Sequence, residues 1–169
     1  MLKLFLLVAL SCSINLIWAG TPFKDCGSEL ATVQLFEVTD CPTAPCKFIK
    51  GKTYAMNLTF TAKAPSKTAT VALHGVIAGV PVPFPLPESN TCNLGAKCPI
   101  GQGDINMASF SLPVLTTYPS ISLYVKLEIK ADDQKQDYVC LLFPATITSG
   151  AAKTKNLVQW RKGKLFEMI

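Results

Sequence analysis

The sequence is poor in the residues that do chemistry. It holds one histidine, His74, and charged side chains make up only 16% of it, too few to assemble several reactive clusters. No GxSxG elbow, HExxH helix or phosphate-cradling glycine loop occurs along it. His74 lies between Leu73 and Gly75 in a strand-like run, a structural rather than a catalytic place. Asp132-Asp133 sits in the polar run ADDQKQD, where two carboxylates read as solvated turn residues and not as an acid–base pair. Without a base, a nucleophile or a metal set, the chain does not read as an enzyme, and binding is the expected function. Long apolar runs are also scarce. After the first twenty residues no stretch is long and apolar enough to span a bilayer, and the body lacks a convincing amphipathic helix.

The opening run is an exception. Lys3 precedes an apolar stretch, and small residues follow to Ala19-Gly20. That layout is a secretory signal with its cut near Ala19, so residues 1–19 are expected to leave and the chain to be secreted. A transmembrane anchor fits less well, because Ser11, Ser13 and Asn15 break the run. The roughly 150 residues that remain suit one domain, residues 20–149, followed by an extension, 150–169.

Secretion exposes cysteines to oxidising conditions. Of seven cysteines, Cys12 leaves with the signal. Cys41 and Cys46 bracket the turn PTAP, and Cys92 and Cys98 bracket NLGAK, so local pairing leaves Cys26 with Cys140. A zinc site is the rival, but neither pair has knuckle spacing and His74 adds little. No metal and no cofactor are expected. Between Gly20 and Ser149 ten lysines balance ten acidic residues, so the body is neutral and nucleic acid is excluded as a partner. From Gly150 on, Lys153, Lys155, Arg161, Lys162 and Lys164 face only Glu167, which makes a basic tail read as a disordered extension or as an interfacial segment attracted to anionic lipid.

Strand signals dominate the body. In Thr53–Thr61 the residues Tyr54, Met56, Leu58 and Phe60 alternate with Ala55, Asn57 and Thr59, one oily face and one wet one. Ser120–Lys130 repeats the pattern through Ile121, Leu123, Val125, Leu127 and Ile129. Thr68–Val80 and Tyr138–Thr148 are apolar and β-branched enough for strands, and Leu30–Val38 is a weaker candidate. Short alternating strands without helices imply an antiparallel sandwich. The sequon Asn57-Leu58-Thr59 falls on the wet face of its strand, where a glycan is tolerated. In GVPVPFPLPE, proline takes every second place from Pro81 to Pro87, so the stretch is held extended and cannot be a central strand. It reads either as the rim of an apolar cavity, displaying Val80, Val82, Phe84 and Leu86, or as a rigid crossover between sheets. Large uncharged inner residues, among them Tyr54, Met56, Val114, Ile121 and Leu127, point to an apolar slot between the sheets and a greasy ligand.

FKDCGS (Phe23–Ser28), CPTAPC (Cys41–Cys46), HGVIAGVPVPFPLPE (His74–Glu88), CPI (Cys98–Ile100) and LPVLTTYPSISL (Leu112–Leu123), with the cysteine order, resemble the Niemann–Pick type C2 branch of the ML lipid-recognition domain family over Phe23 to about Ser149. The resemblance implies an all-β, immunoglobulin-like β-sandwich of about seven antiparallel strands with three disulfides and an internal apolar lipid cavity holding cholesterol or a related sterol. It implies the bridges Cys26–Cys140, Cys41–Cys46 and Cys92–Cys98, in agreement with the spacing. It puts key pocket positions on Phe84, Val114 and Tyr118, and further lining on Val38, Phe48, Tyr54, Met56, Val82, Pro119 and Ile121. It implies action in the extracellular fluid or lysosomal lumen as a monomer, with transfer to a membrane surface or a membrane sterol transporter through a mouth that includes Val80 to Phe84. Two departures stand out. Leu127 and Leu141 occupy places where vertebrate members carry tryptophan, as in arthropod relatives that carry fatty acids or semiochemicals, and the tail 150–169 has no counterpart. Lipid-dependent immune recognition is the remaining alternative that the family allows.

Overall fold

A computed structural model describes residues 20–132 and 136–150 of the chain. The expectations for the signal 1–19, for the tail beyond Gly150 and for Asp133 lie outside those residues. The strands are β1 (Lys24–Asp25), β2 (Ala31–Val38), β3 (Cys46–Ile49), β4 (Thr53–Ala62), β5 (Ala69–Ile77), β6 (Val80–Phe84), β7 (Ile105–Pro113), β8 (Ile121–Ala131) and β9 (Asp137–Thr148), with one 3-10 turn at Thr91–Leu94. Seven of the nine are five residues or longer, matching the expected number.

They form two layers. One sheet has the order β1-β9-β8-β5-β6, with β3 also on β9, and the other has the order β2-β4-β7. Every pairing is antiparallel except that of β3, which runs parallel to the end of β9 from Cys46 opposite Ala145 to Ile49 opposite Thr148. The seven longer strands thus pair antiparallel as expected, and the short β3 adds one parallel pairing. The chain crosses from β2 to the larger sheet through the Cys41–Cys46 turn, lays down four residues along β9, and turns back at Gly51 into β4.

Period-two alternation explains the interior. On β4, Tyr54, Met56, Leu58, Phe60 and Ala62 are buried while Ala55 and Asn57 are exposed. On β8, Leu123, Val125, Leu127 and Ile129 point inward and pack against Phe36, Phe110 and Phe143 in one continuous core. The three bridges that the cysteine spacing favoured are formed.

β5 ends at Ile77, earlier than the run to Val80 suggested, because Ala78 and Gly79 both take positive φ (49° and 84°) and turn the chain back on itself. Two residues of that kind between paired positions make a type I′ hairpin, whose twist suits the flanking strands. GVPVPFP is therefore not a crossover between sheets. It is the edge strand β6, with Val80 opposite Ile77, Val82 opposite Gly75 and Phe84 opposite Leu73. A two-residue hairpin makes its closing pair a hydrogen-bonded one, so Val80, Val82 and Phe84 turn their peptide groups toward β5, and Pro81 and Pro83 fall at the places that need no donor.

Candidate functional site

The larger sheet faces a sheet of only three strands, so its margin overhangs. β6 lies on that margin. Its inward-turned Val80 and Val82 have no opposite layer and stay 61% and 45% exposed, while Phe84, further along, is partly buried against the core. The Phe84 ring crosses diagonally over Gly75 of β5. A Cβ on Gly75 would stand 2.8 Å from Phe84 Cε2 and 3.7 Å from Leu123 Cδ2, so the bare glycine creates the seat for the ring. Tyr118 closes on it from the loop after β7, with ring centroids 5.4 Å apart at 52°. That loop is pinned to the β3–β4 turn. The Val114 amide donates to Lys52 O (2.9 Å), and the Gly51 amide donates to Val114 O (2.6 Å).

Behind this aromatic pair is an enclosed apolar cavity between the layers, walled by Phe48, Phe84, Leu112, Val114, Tyr118, Leu123, Val125 and Ile147. Its wall has no polar surface. Tyr54, buried in the core, meets Phe48 with ring centroids 4.7 Å apart at a tilt of 56°, and its hydroxyl accepts the Ile49 amide at 2.8 Å. The cavity holds only about 10 Å³, the space of one water at most. The expected slot is thus oily but not roomy. Flexible apolar walls close on one another when nothing separates them, because each gap forfeits dispersion contacts.

Of the expected lining, Phe48, Phe84, Val114 and Tyr118 converge on the cavity. Val38, Tyr54 and Met56 are buried in the same interlayer core without lining it, and Ile121 packs against that core half-buried. Leu127 and Leu141 are fully buried and face each other across β8 and β9, one inward position beyond Val125. Val82 and Pro119 are solvent-exposed and outside this lining, Val82 because its strand overhangs. Leu112 and Ile147 complete the wall unforeseen. Leu123 and Val125 were legible as inner-face residues from the β8 alternation, although that alone did not mark them as lining.

No carboxylate or ammonium enters the interior among the described residues. Glu128, the one strongly buried charge there, sits on the outer face of the larger sheet. Lys126 Nζ (2.9 Å), Lys130 Nζ (3.2 Å) and His74 Nδ1 (3.2 Å) surround it, and Lys130 also reaches Asp137 at 3.1 Å. Burial pushes the Glu128 pKa up, but the hydrogen bonds and charges of Lys126 and Lys130 outweigh it and hold the group below the usual carboxylate range. His74 therefore has a structural setting, as its neighbours in sequence suggested. No cluster of His, Cys, Asp and Glu among the described residues could hold a metal, and no helix there is long and apolar enough to cross a membrane.

Comparisons with known proteins agree with this geometry. The ML domain family model matches residues 20–147. The chain is 39% identical over 143 residues to the bovine NPC intracellular cholesterol transporter 2, covering 85% of this chain and 94% of that protein. It is 36% identical over 146 residues to the ecdysteroid-regulated 16 kDa protein of Manduca sexta, covering 84% and 99%. Among solved structures, a Niemann-Pick type C2 protein from the Japanese carpenter ant superposes with a TM-score of 0.70 at 27% identity, over 75% of this chain and 99% of that one.

Proposed function

The chain belongs to the ML domain family, a family of lipid carriers and not of enzymes, and from that premise we propose that it carries cholesterol or a related sterol between its two sheets and releases it through the Phe84–Tyr118 end. The observation that carries the proposal is the enclosed cavity lined by eight apolar or aromatic side chains and closed by one pair of rings. Pockets for ligands of that size run to roughly 300 Å³ or more. Loading therefore requires the walls to part, and the piece least held by other structure is the margin strand β6 with Phe84, which pairs on one side only. Burying roughly 400 Å² of sterol surface contributes on the order of 10 kcal/mol gross. Part of that offsets the ordering of the ligand and the opening of the wall, and submicromolar affinity remains within reach.

Val80, Val82, Phe84, Val114 and Tyr118 are assigned the roles of mouth and wall, and the exposed Val80 and Val82 are the contact offered to a membrane surface or a membrane sterol transporter. Leu127 and Leu141 set the depth to which a guest can enter. Three bridges suit an oxidising compartment, which supports secretion or the lysosomal lumen as the place of action.

The test is displacement of a fluorescent sterol, together with mass spectrometry of the lipid that purifies with the protein. Near one-to-one sterol binding that weakens at least tenfold in Phe84→Ala and in Tyr118→Ala is the expected result. Co-purified fatty acid with no sterol uptake would replace the sterol reading with the fatty-acid carrier. Uptake of neither lipid would remove the carrier reading.

A further inference from the structure

The outer face of the smaller sheet carries two side chains that the carrier reading leaves unused. Ile105 and Met107 open β7, point outward and stay 71% and 59% exposed, whereas the outward residues further along that strand are Ser109 and Ser111. They lie at the end of β7 away from Val114 and Tyr118, so they belong neither to the cavity wall nor to its mouth. A third apolar residue faces outward on this sheet, Leu35 of β2, opposite Thr59. It is half-buried because Gly20 lies over it, and a Cβ on Gly20 would stand 3.0 Å from Leu35 Cδ1. Ile105 and Met107 have no such cover among the described residues. Adjacent exposed apolar side chains point to a contact, and the strand beside them says with what.

β4 holds the sequon Asn57-Leu58-Thr59 in a register that sets Asn57 opposite Ser109, Thr59 opposite Met107 and Thr61 opposite Ile105. Asn57 is exposed, and its Oδ1 accepts the Ser109 hydroxyl at 2.9 Å, so the side chain leans toward β7. Its Nδ2, the atom to which an N-linked glycan is joined, makes no hydrogen bond among the described residues. Outward residues along a strand are roughly 7 Å apart and neighbouring strands roughly 5 Å, which puts Met107 roughly 8 Å and Ile105 roughly 14 Å from Asn57. We propose that a glycan carried by Asn57 lies along β7 and covers Met107 and Ile105 with its first sugars. N-acetylglucosamine is uncharged. Its C–H face and acetyl methyl gain by covering apolar side chains, while its hydroxyls stay in water. Of the outward residues of β2, β4 and β7 only Glu37 is charged, a face that suits a neutral sugar. A protein partner suits it less, because a bulky glycan on Asn57 stands in the way. This contact stands apart from the identity of the cargo, since it lies outside the space between the sheets.

The experiment uses the full chain secreted from eukaryotic cells, beside its Asn57→Gln variant. Each is treated with hydrogen peroxide, and mass spectrometry of peptides reads the oxidation of Met107, with the fully buried Met56 as internal reference. Met107 is expected to oxidise at least about threefold more slowly in the glycosylated protein, with Met56 equally slow in both. Enzymatic removal of the glycan from the folded protein should raise the Met107 rate in the same way, without any substitution. Thermal unfolding gives a second reading. Loss of the glycan should lower Tm by roughly 3 °C, and by much less when Met107 and Ile105 are both replaced by serine. Equal Met107 rates with and without the glycan would overturn the proposal. So would a fall in Tm that is absent or that survives the two serines, as for a glycan that swings free in solvent, or secreted protein with no sugar on Asn57.

Discussion

Gly75→Ala tests whether Phe84 owes its position to the missing side chain beneath it. The added Cβ would stand 2.8 Å from Phe84 Cε2 and 3.1 Å from Cζ, where unstrained carbon atoms keep about 3.5–4.0 Å. The ring must retreat by roughly 1 Å. Crowding of this sort costs about 1–3 kcal/mol, and the atoms met belong to the far end of a half-exposed ring, which favours the lower half of that range. Stiffening the unfolded chain returns about 0.4–1 kcal/mol, so the single variant should lose about 1 kcal/mol. In a Phe84→Ala background the clash is gone and the same methyl should stabilise by about 0.4–1 kcal/mol. The coupling between the two sites is then about 1.5–2 kcal/mol, well above the ~0.3–0.5 kcal/mol scatter of independent sites. Urea unfolding of the four proteins, with the slopes held equal, measures it. Additive effects would show that Phe84 is held by something other than the space over Gly75. A ring pushed off its seat should also change the rate at which a fluorescent sterol is taken up.

Other consequences can be measured as directly. Removing Cys26–Cys140, which closes 114 residues of chain, should cost about 4–5 kcal/mol, whereas removing Cys41–Cys46, with a separation of 5, should cost about 2; denaturant midpoints of the paired serine variants give the comparison. Ala78 takes φ 49° in a turn that prefers asparagine or glycine, so Ala78→Asn should raise stability by about 0.5–1 kcal/mol, read as a higher midpoint in urea. Glu128→Gln should cost about 1–2 kcal/mol at neutral pH, less than for a fully buried pair because Lys126 and Lys130 reach solvent. Because folding lowers the Glu128 pKa, its contribution is present above the unfolded value of about 4.3 and is lost as pH falls through the folded one; unfolding curves of the two proteins should converge on acidification, and a constant gap would show that the charge is irrelevant. Asn57 stands exposed on the outer face of β4, its Oδ1 accepting the Ser109 hydroxyl at 2.9 Å, and is proposed to carry a glycan; Asn57→Gln should remove an endoglycosidase-sensitive mass increment from the secreted protein.

What could be read from the chain alone follows from how strongly each strand separates its faces. β4 and β8 do so cleanly, and their inner residues were legible one by one. β7 does not: it buries Asn106 and Ala108 and exposes Ile105 and Met107, so its pattern of oil and water is inverted at one end. Asn106 is tolerated inside because its Oδ1 accepts the Lys97 amide at 2.9 Å from the bridged Cys92–Cys98 loop, a partner no local pattern reveals. β3 was hidden because four residues are too few to show a period and its parallel partner lies about a hundred positions away. Phe48, Phe84, Val114 and Tyr118 face the cavity, but Phe48 and Tyr118 were placed there by the family resemblance and not by any pattern in their own segments. The overhang that exposes Val82 was not legible, since it depends on the unequal number of strands in the two layers. The closeness of the walls also escaped the sequence, because volume is set by how side chains from distant strands settle against each other.

The alternate prolines of β6 bear on how such a molecule behaves in a crowd. A sheet margin carrying exposed valines is the ordinary place for one molecule to annex another by adding a strand. Along this margin every second residue lacks the hydrogen that such an addition requires, so a visiting chain meets carbonyls alone and cannot complete a ladder. The stretch proposed to meet a bilayer is thereby barred from offering a template to its own kind, and concentrated solutions should stay free of fibrils until Pro81 and Pro83 are replaced.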